Sequence, residues 1–233
     1  MVQKKRILLK LSGTIFKEDN NSKKIAAHNI VNQIKQLKNE YLFGIVIGGG
    51  NFFRGSQQGK QLGATPTTSH YVGMIATIMN GLLLQDLLSQ QSITSDLFSA
   101  FVCPEFAKPV SPANILHSLQ TYDCLIFSGG TGHPYFTTDT NAVIRALEIN
   151  ANQVWKATDV DGIYDDDPHK NSGAKILKNI SYKKAQDMNL NIMDQTAFTL
   201  AKEHGITVRV FNAFEENSIL NAAKDELYGS IIT

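Results

Sequence analysis

Cysteine is scarce in this chain: Cys103 and Cys124 are the only two among 233 residues. Without C-x-x-C spacing they exclude a disulfide framework. Both lie in apolar stretches, SAFVC and DCLIF, where a buried reduced thiol is the expected state. An excess of one charge is lacking too, with 22 Lys+Arg against 21 Asp+Glu and a net charge of +1. Binding to nucleic acid or a membrane needs a strong basic excess, so neither partner is expected. That balance still allows a local basic site for one small anion. MVQKKRILLKLSG begins like a signal peptide, but Lys10 ends its apolar run after Ile7, Leu8 and Leu9. No stretch reads as long enough to span a membrane. The expectation is a cytoplasmic, soluble globular protein. The histidines show no zinc-ligand spacing, and both H-E-x-x-H and G-x-S-x-G are missing, which sets aside metal-dependent hydrolysis and triad chemistry.

What is present is an alternation of short apolar runs with longer amphipathic ones, the pattern of βαβ units. Arg6–Leu11, Phe43–Ile47, Thr94–Val102, Cys124–Ser128, Gln153–Ala157, Thr207–Phe211 and Ser230–Ile232 read as strands. Helices are expected over Ile25–Asn39, His70–Leu88 (with Met74, Ile78 and Leu82 on one side), Asp139–Asn150, Asp194–His204 and Ser218–Lys224. Gly205 supplies the stop for the fourth. Lys17–Lys24 and Ser56–Ser69 read as polar loops. The length fits one large α/β domain over 1–233 with a mainly parallel sheet covered by helices on both faces. Ligands of such sheets sit beyond the carboxyl ends of the strands.

Three strand ends carry glycine: Lys10-Leu11-Ser12-Gly13, Gly48-Gly49-Gly50-Asn51 and Ser128-Gly129-Gly130-Thr131-Gly132. Glycine lets the backbone approach a ligand and turn successive N–H groups towards an anion, although tight turns use it as well. Gly50-x-x-x-x-Gly55 has Walker spacing but continues Ser56-Gln57 instead of Lys-Ser/Thr. Gly48-x-Gly50 meets Phe53 where the dinucleotide fingerprint needs glycine. Lys10, near the end of a buried strand, either meets an anion or reaches solvent at an edge. Arg54 either closes over the same anion or forms a surface ion pair. Thr137-Thr138-Asp139 opens a helix, where hydroxyls and free N–H groups suit a phosphate and Asp139 can serve as a cap. The acids from Asp159 to Asp167 lack the EF-hand pattern, leaving ribose contacts, a magnesium shell or a solvated turn.

KLSG, VIGGGNFFRG, GMIATIMNG, GGTGHPYFTTDT, KATDVDGIYDDDP, MDQTAFTLA and RVFN occur in an order that resembles bacterial uridylate kinases of the amino-acid kinase superfamily. The resemblance extends from about Lys4 to Ile232. It implies a three-layer α/β/α sandwich with a mainly parallel sheet of about eight strands. The implied reaction is transfer of the γ-phosphoryl group of ATP to UMP in pyrimidine nucleotide biosynthesis, with Mg2+ accompanying ATP. The resemblance assigns Lys10, Leu11, Ser12, Gly13, Gly50, Arg54, Thr158, Tyr164 and Asp167 to ATP. It assigns Gly49, His70, Thr131, Gly132, His133, Pro134, Tyr135, Phe136, Thr137 and Thr138 to UMP. Lys10 and Arg54 are the expected catalytic cations, with Asp139 and Asp194 orienting Lys10 or the metal's shell. Magnesium is expected to be held mainly by phosphates.

A homohexamer and feedback inhibition by UTP are further implications of the resemblance, and the apolar residues Met74–Met79, read from the sequence alone, suit an interface. The chain departs from the family pattern at four places. His70 stands where an acid usually holds the UMP ribose, and Pro66 where a basic residue is usual. Thr14 follows KLSG in place of Glu, and Lys17–Lys24 replaces the segment tied to GTP activation. Two other readings compete: an acyl-phosphate kinase acting on a carboxylate or carbamate, and a nucleotide-binding regulator without catalysis.

Overall fold

The computed structural model describes residues 4–17, 25–166, 168, 170–171 and 173–233. The expected loop Lys17–Lys24, beyond Lys17 itself, and the nucleotide contact at Asp167 lie outside the described residues. In chain order the elements are β1 (Lys5–Leu11), α1 (Ala26–Leu37), β2 (Tyr41–Ile47), α2 (Pro66–Gln90), β3 (Ser95–Ser99), β4 (Lys108–Pro109), α3 (Pro112–Thr121), β5 (Cys124–Ser128) and α4 (Thr138–Glu148). They continue with β6 (Gln153–Thr158), β7 (Ile163–Tyr164), β8 (Ile176–Leu177), β9 (Asn179–Ile180), α5 (Tyr182–Asp187), α6 (Gln195–Glu203), β10 (Thr207–Asn212), α7 (Ser218–Lys224) and β11 (Ser230–Ile232).

Nine strands form one sheet in the order β4-β3-β5-β2-β1-β6-β10-β11-β9, and β7 and β8 form a separate hairpin. Within the large sheet only β10 and β11 pair antiparallel. Every residue of β2 and β5 is buried, as befits central parallel strands covered on both faces. Alternation along β1 divides the core. Ile7, Leu9 and Leu11 pack with α1, α7 and the end of α2, while Leu8 packs with α4, α5 and α6. The result is the expected three-layer sandwich, with two-residue strands at both edges of the sheet.

Local signals set the helix boundaries. Thr65 caps α2 and Pro66 takes its first turn, so the helix begins four residues before the expected His70. The run Ser56–Ser69 is therefore not one loop, since Gly55–Gly59 forms a π-helical turn and Pro66 onward is helical. Ser111 and Ser181 cap two short helices, α3 and α5, that the apolar periodicity does not announce. Gly205, with φ at +63°, follows α6 as expected.

Helix α2 also corrects two expectations. An 18-residue window within it has a mean hydropathy of 1.4, so by length and composition it could cross a membrane. In the fold its buried face, Met74, Thr77, Asn80, Gly81, Leu84 and Leu88, belongs to the interior. Met74 therefore points inwards and cannot join an outer interface, unlike Tyr71, Val72, Ile75, Met79 and Leu83, which are exposed. The cysteines differ from one another: Cys124 is buried, with its thiol pKa pushed up by burial, whereas Cys103 is half-buried.

Candidate active site

Parallel register brings two lysines together. Lys10 on β1 lies directly opposite Lys156 on β6, so both side chains leave the same face of the sheet. Asp139, in the first turn of α4, stands over both, with Oδ1 at 3.2 Å from Lys10 Nζ and Oδ2 at 2.7 Å from Lys156 Nζ. All three side chains are mostly buried. Burial pushes the Asp139 carboxyl upwards, but the two ammoniums outweigh it and hold its pKa below the usual carboxylate value. Burial lowers the Lys156 pKa, and the charge of Asp139 only partly offsets the shift. Lys10 is thus no edge residue reaching solvent; it belongs to a buried ion cluster.

Asp194 joins the cluster's flank. Its carboxylate accepts a short hydrogen bond from Thr137 Oγ1, one of 2.8 Å from Thr140 Oγ1, and one of 3.0 Å from the Ala197 N–H that it caps. Burial pushes its carboxyl upwards, and these donors bring its pKa below the ordinary value. Lys156 also donates to the Ile192 carbonyl, which ties the segment before Asp194 to β6. Asp139 does not cap α4 through its side chain, because Thr137 does, accepting from the Asp139 N–H at 3.0 Å.

The glycine ends pack against one another. A Cβ on Gly13 would fall 2.2 Å from Asn51 Oδ1 and 2.6 Å from the Gly48 carbonyl, so only glycine lets these turns touch. Asn80 of α2 donates to the Gly48 carbonyl at 2.6 Å and to Asn51 Oδ1 at 2.7 Å. Gly49 is wedged against α2, beside the Gly73 carbonyl. Ser12 Oγ accepts from the Thr14 N–H, starting a 3-10 turn over Gly13–Phe16 immediately after Leu11. Beyond Gly50 the exposed Arg54 donates from Nε to the Gly50 carbonyl at 3.2 Å. Among the described residues its recorded side-chain partner is therefore the glycine turn, not a carboxylate.

After β5, Gly129, Gly130 and Gly132 all have positive φ, at +74°, +59° and +80°, and Tyr135 follows at +72°. The Gly129 N–H donates to Thr77 Oγ1 of α2 at 2.7 Å. Thr131 bonds both the N–H and the carbonyl of His133 at 3.2 Å. Tyr135 reaches across to α2, where its ring lies 4.8 Å from that of His70 and its hydroxyl 2.8 Å from Thr67 Oγ1. Pro134 and Phe136 complete this strap before Thr137 and Thr138 start α4. On the far side, Thr158 ends β6 and donates to Asp159, while Tyr164 lies in the β7–β8 hairpin. Asp161 accepts from Asn212 at the end of β10, while Asp165 and Asp166 brace their own loop by accepting from the Lys175 N–H and from Asn171.

A lysine on a strand next to a glycine turn, backed by a second lysine and a carboxylate, can grip a transferring phosphoryl group without a P-loop. Residues 5–212 match the amino acid kinase family. The chain belongs to that family. A uridylate kinase of Mycoplasmoides gallisepticum is 36% identical over 230 residues, covering 97% of each chain. One from Haemophilus influenzae is 42% identical over 211 residues, 89% of each. The crystal structure of UMP kinase from Ureaplasma parvum superimposes with a TM-score of 0.92 at 34% identity, covering 99% of both chains.

For an amino acid kinase, the contacts bring Lys10, Asp139 and Asp194 into one neighbourhood and Gly13, Gly48, Gly49, Gly50 and Arg54 into another. His70 and Tyr135 form a third, and Thr158 and Tyr164 stand in a separate loop system. Sequence reasoning missed Lys156, Thr140, Thr77 and Asn80. The available signal was polarity in apolar company: a lysine between Trp155 and Ala157, and Thr77 and Asn80 on a largely apolar helix.

Proposed function

We propose that this protein is an ATP-dependent UMP kinase, transferring the γ-phosphoryl group of ATP to UMP to give UDP and ADP. The observation that carries the reading is the buried Lys10–Asp139–Lys156 cluster beside three glycine-rich strand ends. Transfer between two polyanions asks for alignment and for relief of their repulsion, and little covalent work. In this reading Lys10 meets the transferred group, and Arg54 reaches it from the turn at Gly50. The N–H groups from Leu11 to Gly13 and at Gly50 face the ATP phosphates. Thr158, Tyr164 and Asp167 border the adenine nucleotide. Gly49, His70 and the strap from Thr131 to Thr138 form the acceptor side, where hydroxyls and the α4 N-terminus suit a phosphate monoester. That cradle disfavours the carboxylate-kinase alternative, whose acceptor carries no phosphate.

Both Asp139 oxygens are taken by ammoniums, and Asp194 is occupied by hydroxyls and an amide. We therefore assign Mg2+ to the ATP phosphates, with Asp194 beside its hydration shell. When bound there it neutralises phosphate charge.

Pyrimidine nucleotide synthesis in the cytoplasm, with UTP as a feedback inhibitor, is the setting we propose. The exposed stripe Tyr71, Val72, Ile75, Met79 and Leu83 supports self-association, for which we propose a homohexamer. Sedimentation at working concentration tests it, and a monomer overturns it. The activity is tested with purified protein, ATP, magnesium and each nucleoside monophosphate in turn. UMP-dependent ADP formation is expected, and its absence sinks the reading.

A further inference from the structure

Two buried ammoniums share the Asp139 carboxylate, with the Asp194 carboxylate on their flank, and the two lysines hold Asp139 unequally. Lys156 is anchored twice, to Asp139 Oδ2 at 2.7 Å and to the Ile192 carbonyl at 2.5 Å. Lys10 makes one looser contact at 3.2 Å. An incoming phosphoryl group therefore finds one lysine fixed and one ready to leave.

We propose that Lys156 is a positioning residue: it balances the charge of Asp139, so that Lys10 can swing from the carboxylate to the phosphoryl group. This rests on the kinase reading above. Without Lys156, Lys10 and Asp139 form a closed neutral pair, and Lys10 must break it at every turnover. The bond to Ile192 adds a mechanical role, holding the approach to Asp194 against β6.

Lys156→Gln keeps a donor for the Ile192 carbonyl and removes the charge. Its kcat is expected to fall about 100-fold, with the KM values for both nucleotides changed by less than about threefold. Asp139→Asn alone also lowers kcat, because two adjacent ammoniums lose their counter-charge. The double variant Lys156→Gln/Asp139→Asn releases Lys10 and is expected to regain at least about tenfold over Lys156→Gln, a reversal of sign that lost structure cannot produce. A Lys156→Gln kcat within threefold of the parent, or a double variant no faster than Lys156→Gln, overturns the proposal.

A second measurement needs neither a variant nor turnover. In protein carrying 15N-lysine, saturation with a non-hydrolysable ATP analogue and magnesium should shift the Lys10 ammonium resonance and leave that of Lys156 in place. Movement of Lys156 with Lys10 overturns the proposal. A parent protein inactive on UMP that nonetheless shows this split sinks the acceptor assignment alone.

Discussion

The strand that carries Lys10 at its carboxyl end presents Lys5 and Arg6 at its amino end, and nearby β10 carries Arg209, yet the two edges behave differently. At the amino edge a cavity of about 650 Å³ is lined by Lys5, Arg6, Trp155, Arg209 and Glu226 among others. The Arg209 guanidinium donates to the carbonyls of Asp225, Tyr228 and Glu226, and Arg6 donates to the Ile149 carbonyl. The terminal nitrogens of these arginines donate to backbone carbonyls, fixing the turn after α7 and the end of α4. At the carboxyl edge Lys10 meets a carboxylate that already has another partner, so it can change partners. Positive charge alone does not mark a site; the exchangeability of its partner does.

The comparison breaks if the edges respond alike to substitution. The largest effect is expected for Lys10→Ala, with kcat lower by roughly a thousandfold and little loss of thermal stability, since Lys156 still balances Asp139. Steady-state kinetics beside a melting curve reads both. Arg209→Met should do the opposite. Stranding three carbonyls costs about 3 kcal/mol and lowers Tm by roughly 6–12 °C, with kcat at 25 °C kept near the parent value. A stable Arg209→Met protein would erase the distinction between the edges.

The smallest effect concerns acid. Asp139 and Asp194 have folded-state pKa values below the ordinary carboxylate value. Their contribution is fully present above the unfolded pKa, roughly 4, and is lost as pH falls through the folded values. Asp194→Asn retains one capping oxygen but loses the ionised contribution, so it should lower Tm modestly at pH 7 and flatten the fall of Tm below about pH 4.

Central strands were legible because a run such as Leu42–Ile47 is apolar on both faces. Helices α3 and α5 escaped notice because they are short and begin at serine caps whose apolar partners are few. The glycine ends and Lys10 could be read directly, since phosphate chemistry restricts which residues suffice. Lys156 could not, because its meaning depends on register: only the pairing of β1 with β6 puts it opposite Lys10. The inward turn of Met74 was hidden for a related reason, as nearly every side of α2 is apolar and the stripe facing the sheet is chosen by β3 and β5.

The alternation that aims Lys156 at Asp139 sends its neighbour Trp155 to the opposite face, among Tyr41, Phe43 and Phe211. It is the chain's only tryptophan. The molecule thus has one strong fluorophore, separated from the phosphoryl-transfer machinery by the sheet itself. Its emission gives an optical record of how the interior holds together, while Lys10 and its neighbour Lys156 work unseen on the other face.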